Sequence, residues 1–444
     1  MRTILLTTSL VLCVVIALAI AGCTQQPSGA ATSSVPTKTA TPELNVPVTV
    51  TAANNNTTAL QATQAMTASG SKPTVNILLS KGVGPMPMLL ADGQIDGYIA
   101  WQPFVEVAKL ANIGKVIVYS GDLPPAGSWK NHPCDVISAT DDIISSNPDF
   151  VTAMDALFIV SDDYVSNNTN ESAAIAADWL VGKMNFTYGK TQVAPIDVLK
   201  ESLPTIRFSS DPSPDWMNGS RKFIETEAEL GYIGGAVKNA SPEERDAMIF
   251  NFKPYESAKA MVEKGYITTP NKVEKQVSLG YLMSDHDTPL FVAIKNWQYF
   301  NDKYHIALKP VDPTASRPDV VELIVNGDNI ANIRLISADA GPQLMTLAAQ
   351  NGIQMAYAGI PPVISAIDKG TKIKVIQPVQ NEGSGIVASA SSPANDWKSF
   401  IDWAKQRSDE GKPLIIATPG KGSIQDVMLR IFLEENGFDL KEVS

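Results

Sequence analysis

Apolar and polar positions alternate in short blocks from residue 74 to residue 444. Apolar runs at 74–80, 95–101 and 116–120 are bounded by Gly, Pro or Asp and predict β-strands. Stretches with apolar residues recurring every three or four positions, at 147–166, 171–184, 242–250 and 255–264, predict helices, with Pro148 where a first helical turn accepts proline. A shorter helix is expected at 87–92. After a polar junction at 265–275, the pattern predicts a strand at 277–282, a helix at 290–300 and a hairpin at 320–336 about Asn326-Gly327-Asp328. Strand and helix then alternate, with a last helix reaching Lys441-Glu442-Val443. Such alternation predicts an α/β fold with helices on both faces of its sheets.

The first 73 residues differ. Arg2 precedes an apolar run at 4–22 that ends in Ile20-Ala21-Gly22-Cys23. A basic start, an apolar core and small residues before a cysteine predict a lipoprotein signal, 1–23, with Cys23 as the lipidated residue. The alternative is an uncleaved membrane-spanning helix. Both place the rest of the chain outside the cell, on the extracellular face of the cytoplasmic membrane. Residues 24–73 are rich in Thr, Ser, Ala, Asn, Gln and Pro and read as a disordered tether. Asn55, Asn56, Asn170, Asn185, Asn218 and Asn239 head N-glycosylation sequons.

Composition narrows the function. The 444 residues suffice for two or three domains, and 44% apolar with 18% charged residues is a globular balance. A net charge of −11 argues against a nucleic-acid partner. Cys13 and Cys23 fall in the signal, so Cys134 has no intrachain disulfide partner in the folded part, and it is expected to be buried rather than reactive. The histidines are His132, His286 and His305, and no CxxC pair or Cys/His cluster is visible along the chain. No metal or cofactor is therefore expected.

The stretch LIIATPGKGSIQDVMLR, 414–430, carries the most local chemistry. Gly420 and Gly422 allow close backbone approach, and Ser423 stands at the N-cap of a helix beginning at Ile424. Thr418, Lys421, Gly422, Ser423 and Ile424 are the ligand candidates here, the free amides favouring an anionic or strongly polar group. The absence of a following GK[ST] excludes a Walker loop. Residues 89–103, LLADGQIDGYIAWQP, also align with 347–361, LAAQNGIQMAYAGIP. They suggest two lobes of like construction, the alternative being the general likeness of βα units.

Six stretches together resemble the substrate-binding proteins of ABC importers of the nitrate/sulfonate/taurine type. They are GYLMSDHDTPLFVAIKNWQYF (280–300), GPQLMTLAAQNGIQMAYAGIPPVISAIDKG (341–370), NEGSG (381–385), IATPGKGSIQDVMLR (416–430), LLADGQIDGYIAWQPF (89–104) and NHPCDV (131–136). The resemblance implies a type II periplasmic-binding-protein-like fold with a mixed sheet in each lobe and a ligand cleft between them. The order departs from the family, where the equivalents of 277–444 come first. The chain therefore resembles a circular permutant, with 74–130 and 386–444 as the second lobe and 131–385, containing the junction 265–275, as the first. A fused, incomplete second copy and a domain-swapped dimer are the alternatives.

On that resemblance, Ser284, Asp285 and His286 face the cleft from the first lobe, followed by Gly341 and by Gly359-Ile360-Pro361. Trp101 and Gln102 face it from the second. Glu382 and His132 mark the crossovers, which serve as hinges. The implied function is capture of a small polar or anionic solute for an ABC permease and its ATPase, with no catalysis. The alternatives are a thiamine-pyrimidine-precursor binding or synthase-like protein, or a surface sensor. A secreted hydrolase lacks a GxSxG motif.

Overall fold

The computed structural model describes residues 71–444. The signal, the tether and Cys23 lie outside the described residues. The strands, in order, are β1 (Thr74–Leu79), β2 (Gly97–Trp101), β3 (Gly114–Tyr119), β4 (Asp135–Thr140), β5 (Phe186–Tyr188), β6 (Thr191–Val193), β7 (Ile206–Phe208), β8 (Val277–Leu282) and β9 (Ile306–Pro310). They continue as β10 (Val320–Val325), β11 (Asp328–Ala338), β12 (Met355–Gly359), β13 (Ile373–Pro378), β14 (Gln380–Glu382), β15 (Ser384–Ser389), β16 (Ile415–Thr418) and β17 (Asp439–Val443).

Two mixed sheets organise the chain. One has six strands in the order β17-β1-β16-β2-β15-β3, the other seven in the order β13-β4-β12-β8-β11-β10-β9. Every residue of β2 and of β4 is buried, as interior strands covered on both faces require. The six-stranded sheet draws on both ends of the described chain, since β16 lies between β1 and β2. The two sheets repeat one arrangement. β2 pairs parallel with β16 and antiparallel with β15, while β12 pairs parallel with β8 and antiparallel with β4. The sequence similarity of 89–103 to 347–361 thus corresponds to helix–strand units at matching places in two lobes.

The chain crosses between the lobes twice, at 120–134 and at 379–383. The crossovers lie side by side, joined by Cys134 N–H to Gln380 O (3.1 Å) and Glu382 N–H to His132 O (3.1 Å).

The hairpin forms as the pattern predicts, with Asn326 and Gly327 both at positive φ (52° and 90°). Two expectations need correction, and one stretch holds elements the pattern did not indicate. The helix expected at 290–300 is two helices, Thr288–Lys295 and Trp297–Tyr304, separated at Asn296. Residues 441–443 are not helical. The helix Ile424–Glu435 ends where Gly437 takes φ 84° and Phe438 N–H donates to Leu433 O, which releases the chain into β17. The stretch 185–241, to which the pattern assigned nothing, contains the helices Pro195–Ser202 and Pro214–Glu229.

Candidate functional site

A small pocket lies between the carboxyl ends of the two sheets. From the seven-stranded side it is lined by Leu282, Ser284 and His286 after β8, Asp135 at the start of β4, and Gly341, Gly359 and Pro362 at two helix starts. From the six-stranded side come Trp101 at the end of β2 and Ser423, Ile424 and Gln425 at the start of the helix Ile424–Glu435. Strand carboxyl ends are where open α/β sheets place ligands. The pocket encloses ≈ 20 Å³, about the room of one water. A wider groove of ≈ 530 Å³ opens outside it, and Pro362 borders both.

Local sequence explains how the lobes meet here. A Cβ on Gly359 would lie 2.9 Å from Ile424 Cδ1, so the missing side chain lets the two helix starts approach. Ser284 Oγ–H donates across the cleft to Gln102 O (3.2 Å). His286 Nε2 lies 2.8 Å from Gly383 O. A carbonyl only accepts, so Nε2 carries the proton and Nδ1 presents a lone pair. Cys134 Sγ is 3.4 Å from that Nδ1 and 4.0 Å from Asp135 Oδ1. Burial holds His286 neutral, its pKa lowered to about 4.

The electrostatics are two-ended. At one end stand buried carboxyls: burial pushes Asp135 up to about 7 and Asp285 up to about 8, and burial with the Asp135 charge raises Asp287 well above the ordinary aspartate range. Asp135 and Asp287 adjoin, so the pair holds at least one proton at neutral pH. None of the three forms an ion pair among the described residues. At the other end, the N–H groups of Ile424 and Gln425 open the first turn of their helix, whose dipole favours negative charge. The two helix starts opposite supply little, since prolines at 342, 361 and 362 lack the N–H and the amide of Ile360 donates to Cys134 O (3.0 Å). Among the described residues, no lysine or arginine lines the pocket.

The sequence profile of the NMT1-like family matches residues 28–181 and 271–444, most of the chain. The chain belongs to the NMT1-like family. Members are generally binding proteins rather than enzymes, and the two-lobed arrangement of mixed sheets is a periplasmic-binding-protein-like fold. An uncharacterized protein of Methanocaldococcus jannaschii is 39% identical over 107 residues, covering 24% of this chain and 71% of that protein. No solved structure matches.

Of the residues singled out in this NMT1-like chain, the pocket gathers Trp101, Ser284, His286, Gly341, Gly359, Ser423 and Ile424. The others lie elsewhere. Lys421 pairs with Glu442 (2.8 Å), and it lines the outer groove with Gly422. The amide of Gly422 (2.9 Å) and the Thr418 hydroxyl (3.3 Å) both donate to Asp426, so the glycine-rich turn is tied to its own helix. Asp285 accepts from Ser202 Oγ (2.6 Å). Gln102 is buried, and its side chain donates to Thr205 Oγ1 (3.1 Å). Ile360 and Pro361 occupy a first helical turn behind the lining. Glu382 accepts from the Asn131 amide (2.6 Å), and His132 bonds Ser120 Oγ (2.8 Å) beside a separate cavity.

Sequence reasoning missed Asp135, Leu282, Pro362 and Gln425. Asp135 lies in the motif NHPCDV and Gln425 follows the candidate Ile424, so both fall inside stretches that carry the family resemblance. The Cys134–Asp135–His286 cluster was invisible along the chain because 152 positions separate Cys134 from His286.

Proposed function

We propose that this protein is an exported, lipid-anchored solute-binding component of an ABC importer. Its lobes close on a small solute that carries both an acceptor end and a donor end. One observation carries the reading: the pocket is lined from both lobes, with a buried side-chain donor on one side and a buried carboxyl on the other. Trp101, whose buried Nε1 has no partner, supplies a donor from the six-stranded side, and the buried Asp135 carboxyl an acceptor from the seven-stranded side.

Charge refines the solute class. A bare anion such as nitrate would meet the helix start at Ile424 but also the carboxyl of Asp135. A small zwitterion of the taurine kind satisfies both ends, its acidic group against Ile424, Gln425 and Trp101 and its ammonium against Asp135. The ≈ 20 Å³ pocket admits such a solute only when the lobes part, and the paired crossovers at 120–134 and 379–383 are the hinges for that movement.

The strand order supports reading the chain as a circular permutant. β16 precedes the glycine-rich turn, yet its neighbours β1 and β2 come from the start of the described chain. The apolar run ending at Cys23 supports the lipid anchor. A thermal-shift series on the full chain tests the solute reading: a zwitterion raises the melting temperature, by roughly 2.7 kcal/mol of stability at a hundredfold excess over Kd. A series in which nitrate, bicarbonate, taurine, alkanesulfonates and thiamine-pathway pyrimidines all leave the melt unchanged contradicts it.

A further inference from the structure

We infer that Cys134, Asp135 and His286 form a metal site in the pocket wall, selective for a divalent transition-metal cation of zinc-like preference. The side chains supply a thiolate sulfur, a carboxylate oxygen and an imidazole nitrogen, all buried and all within 4.8 Å of one another. A tetrahedral zinc ion with bonds of about 2.0–2.3 Å sets its ligand atoms about 3.4–3.6 Å apart. The sulfur-to-nitrogen distance is 3.4 Å and the sulfur-to-oxygen distance 4.0 Å, so small side-chain movements complete the set.

Three features beyond the donor set favour an ion. The first is the imidazole orientation. His286 Nε2–H is held by Gly383 O at 2.8 Å, which turns the Nδ1 lone pair toward Cys134, 3.4 Å away. A backbone carbonyl on the far ring nitrogen is a common support of metal-ligating histidine. The second is charge. Asp135 is 3% exposed, Asp285 and Asp287 are fully buried, and no lysine or arginine pairs with them among the described residues. A bound dication takes the place of the proton that balances these buried carboxyls, and no side-chain cation competes for the position. The third is space. Asp135 and His286 both line the water-sized pocket, so a fourth coordination position opens onto it. Three protein ligands with one open position is the pattern of a site that exchanges its last ligand.

On binding, the Cys134 thiol loses its proton to solvent and the sulfur donates its pair to the ion; no redox change occurs. The fourth ligand is water or a nitrogen or oxygen donor of the solute. Only this last point rests on the solute-binding reading.

Cobalt(II) added to the purified full chain under reducing, oxygen-free conditions tests the site. The expected result is one equivalent bound, with intense visible absorption of a tetrahedral ion and a thiolate-to-cobalt charge-transfer band, both displaced by zinc. Second-shell losses weaken metal sites by about 10–100-fold, so C134S should weaken cobalt binding by more than about a hundredfold. A pale spectrum of weakly bound, water-coordinated cobalt overturns the inference, as does an unchanged charge-transfer band in C134S. Zinc-dependent melting of the wild-type chain gives an independent readout should C134S misfold: a rise reversed by chelator supports the site, and no rise overturns it. The same melts with taurine, with and without metal, separate the two readings. A taurine shift without any cobalt signal removes the metal and leaves solute binding. A cobalt signal without any solute shift does the reverse.

Discussion

His286 ties its lobe to the crossover at Gly383 through one hydrogen bond, Nε2 to the carbonyl oxygen at 2.8 Å. Their contact also explains the glycine. Gly383 has φ 76°, and a Cβ there would lie 2.5 Å from His286 Nε2 and 2.8 Å from Ile206 Cγ1. Gly383→Ala should therefore lower stability by at least the ~1–3 kcal/mol of a strained positive-φ residue. Urea unfolding would show it as a lower midpoint at unchanged slope. An unchanged midpoint would mean that the hinge backbone relaxes freely.

Gly359 should act on closure more than on folding. A methyl group there presses on the Ile424 side chain, Cδ1 at 2.9 Å and Cγ1 at 3.0 Å, and touches Asp135 Oδ1 at 3.6 Å, so Gly359→Ala should cost about 1–3 kcal/mol in stability. It should nevertheless hold the lobes apart. Small-angle scattering is expected to give a larger radius of gyration than wild type, and the fitted radius checks the prediction.

Asp426 ties the glycine-rich turn to its helix. It accepts from Gly422 N–H, Tyr232 OH (2.6 Å) and Arg430 Nε (2.8 Å). Asp426→Ala leaves Arg430 buried with only Glu442, at 2.9 Å, as a partner. Breaking a buried pair in this way should cost about 3–5 kcal/mol. Thermal melting would reveal the loss. Lys421→Ala, which removes an exposed pair, should change stability by no more than ~1 kcal/mol.

Asp155 gives a pH signature. It is fully buried in the helix Pro148–Asn167, neither carboxyl oxygen has a partner, and burial raises its pKa well above the ordinary aspartate range. The folded state therefore keeps a proton that the unfolded state releases above about pH 3.9. Stability falls as pH rises through that window, by up to ~1.4 kcal/mol per unit, until the folded-state pKa is reached. Asp155→Asn should leave stability nearly unchanged at pH 3 and raise it at pH 7. Denaturant midpoints of both proteins at the two pH values check the sign.

Much of this was legible along the chain. Short β runs between helical periods gave the α/β class, and Asn326-Gly327 placed the hairpin. Ser423 caps its helix, accepting from Asp426 N–H (3.2 Å), as its position before Ile424 indicated. Sequence could not reveal what the turn's own groups do. A lysine between two glycines reads as a ligand for an anion, but Glu442, on a strand 21 positions away, takes it. Residues 441–443 continued a polar-apolar pattern that a helix or an edge strand satisfies equally, and the edge of β1 selected the strand. Asp135 became a site residue only through folding, because the antiparallel pairing of β4 with β12 sets it opposite Gly359.

The central claim is that the pocket takes a small solute with a donor end and an acceptor end. Calorimetric titration of the full chain, stripped with chelator, tests it most directly, with taurine set against its amine-free counterpart ethanesulfonate. Taurine should bind tighter by at least about tenfold, the ~1.4 kcal/mol of one charge-assisted hydrogen bond to Asp135, and D135N should abolish the difference. Equal binding of the two, tighter binding of ethanesulfonate, or no heat from either would contradict the account.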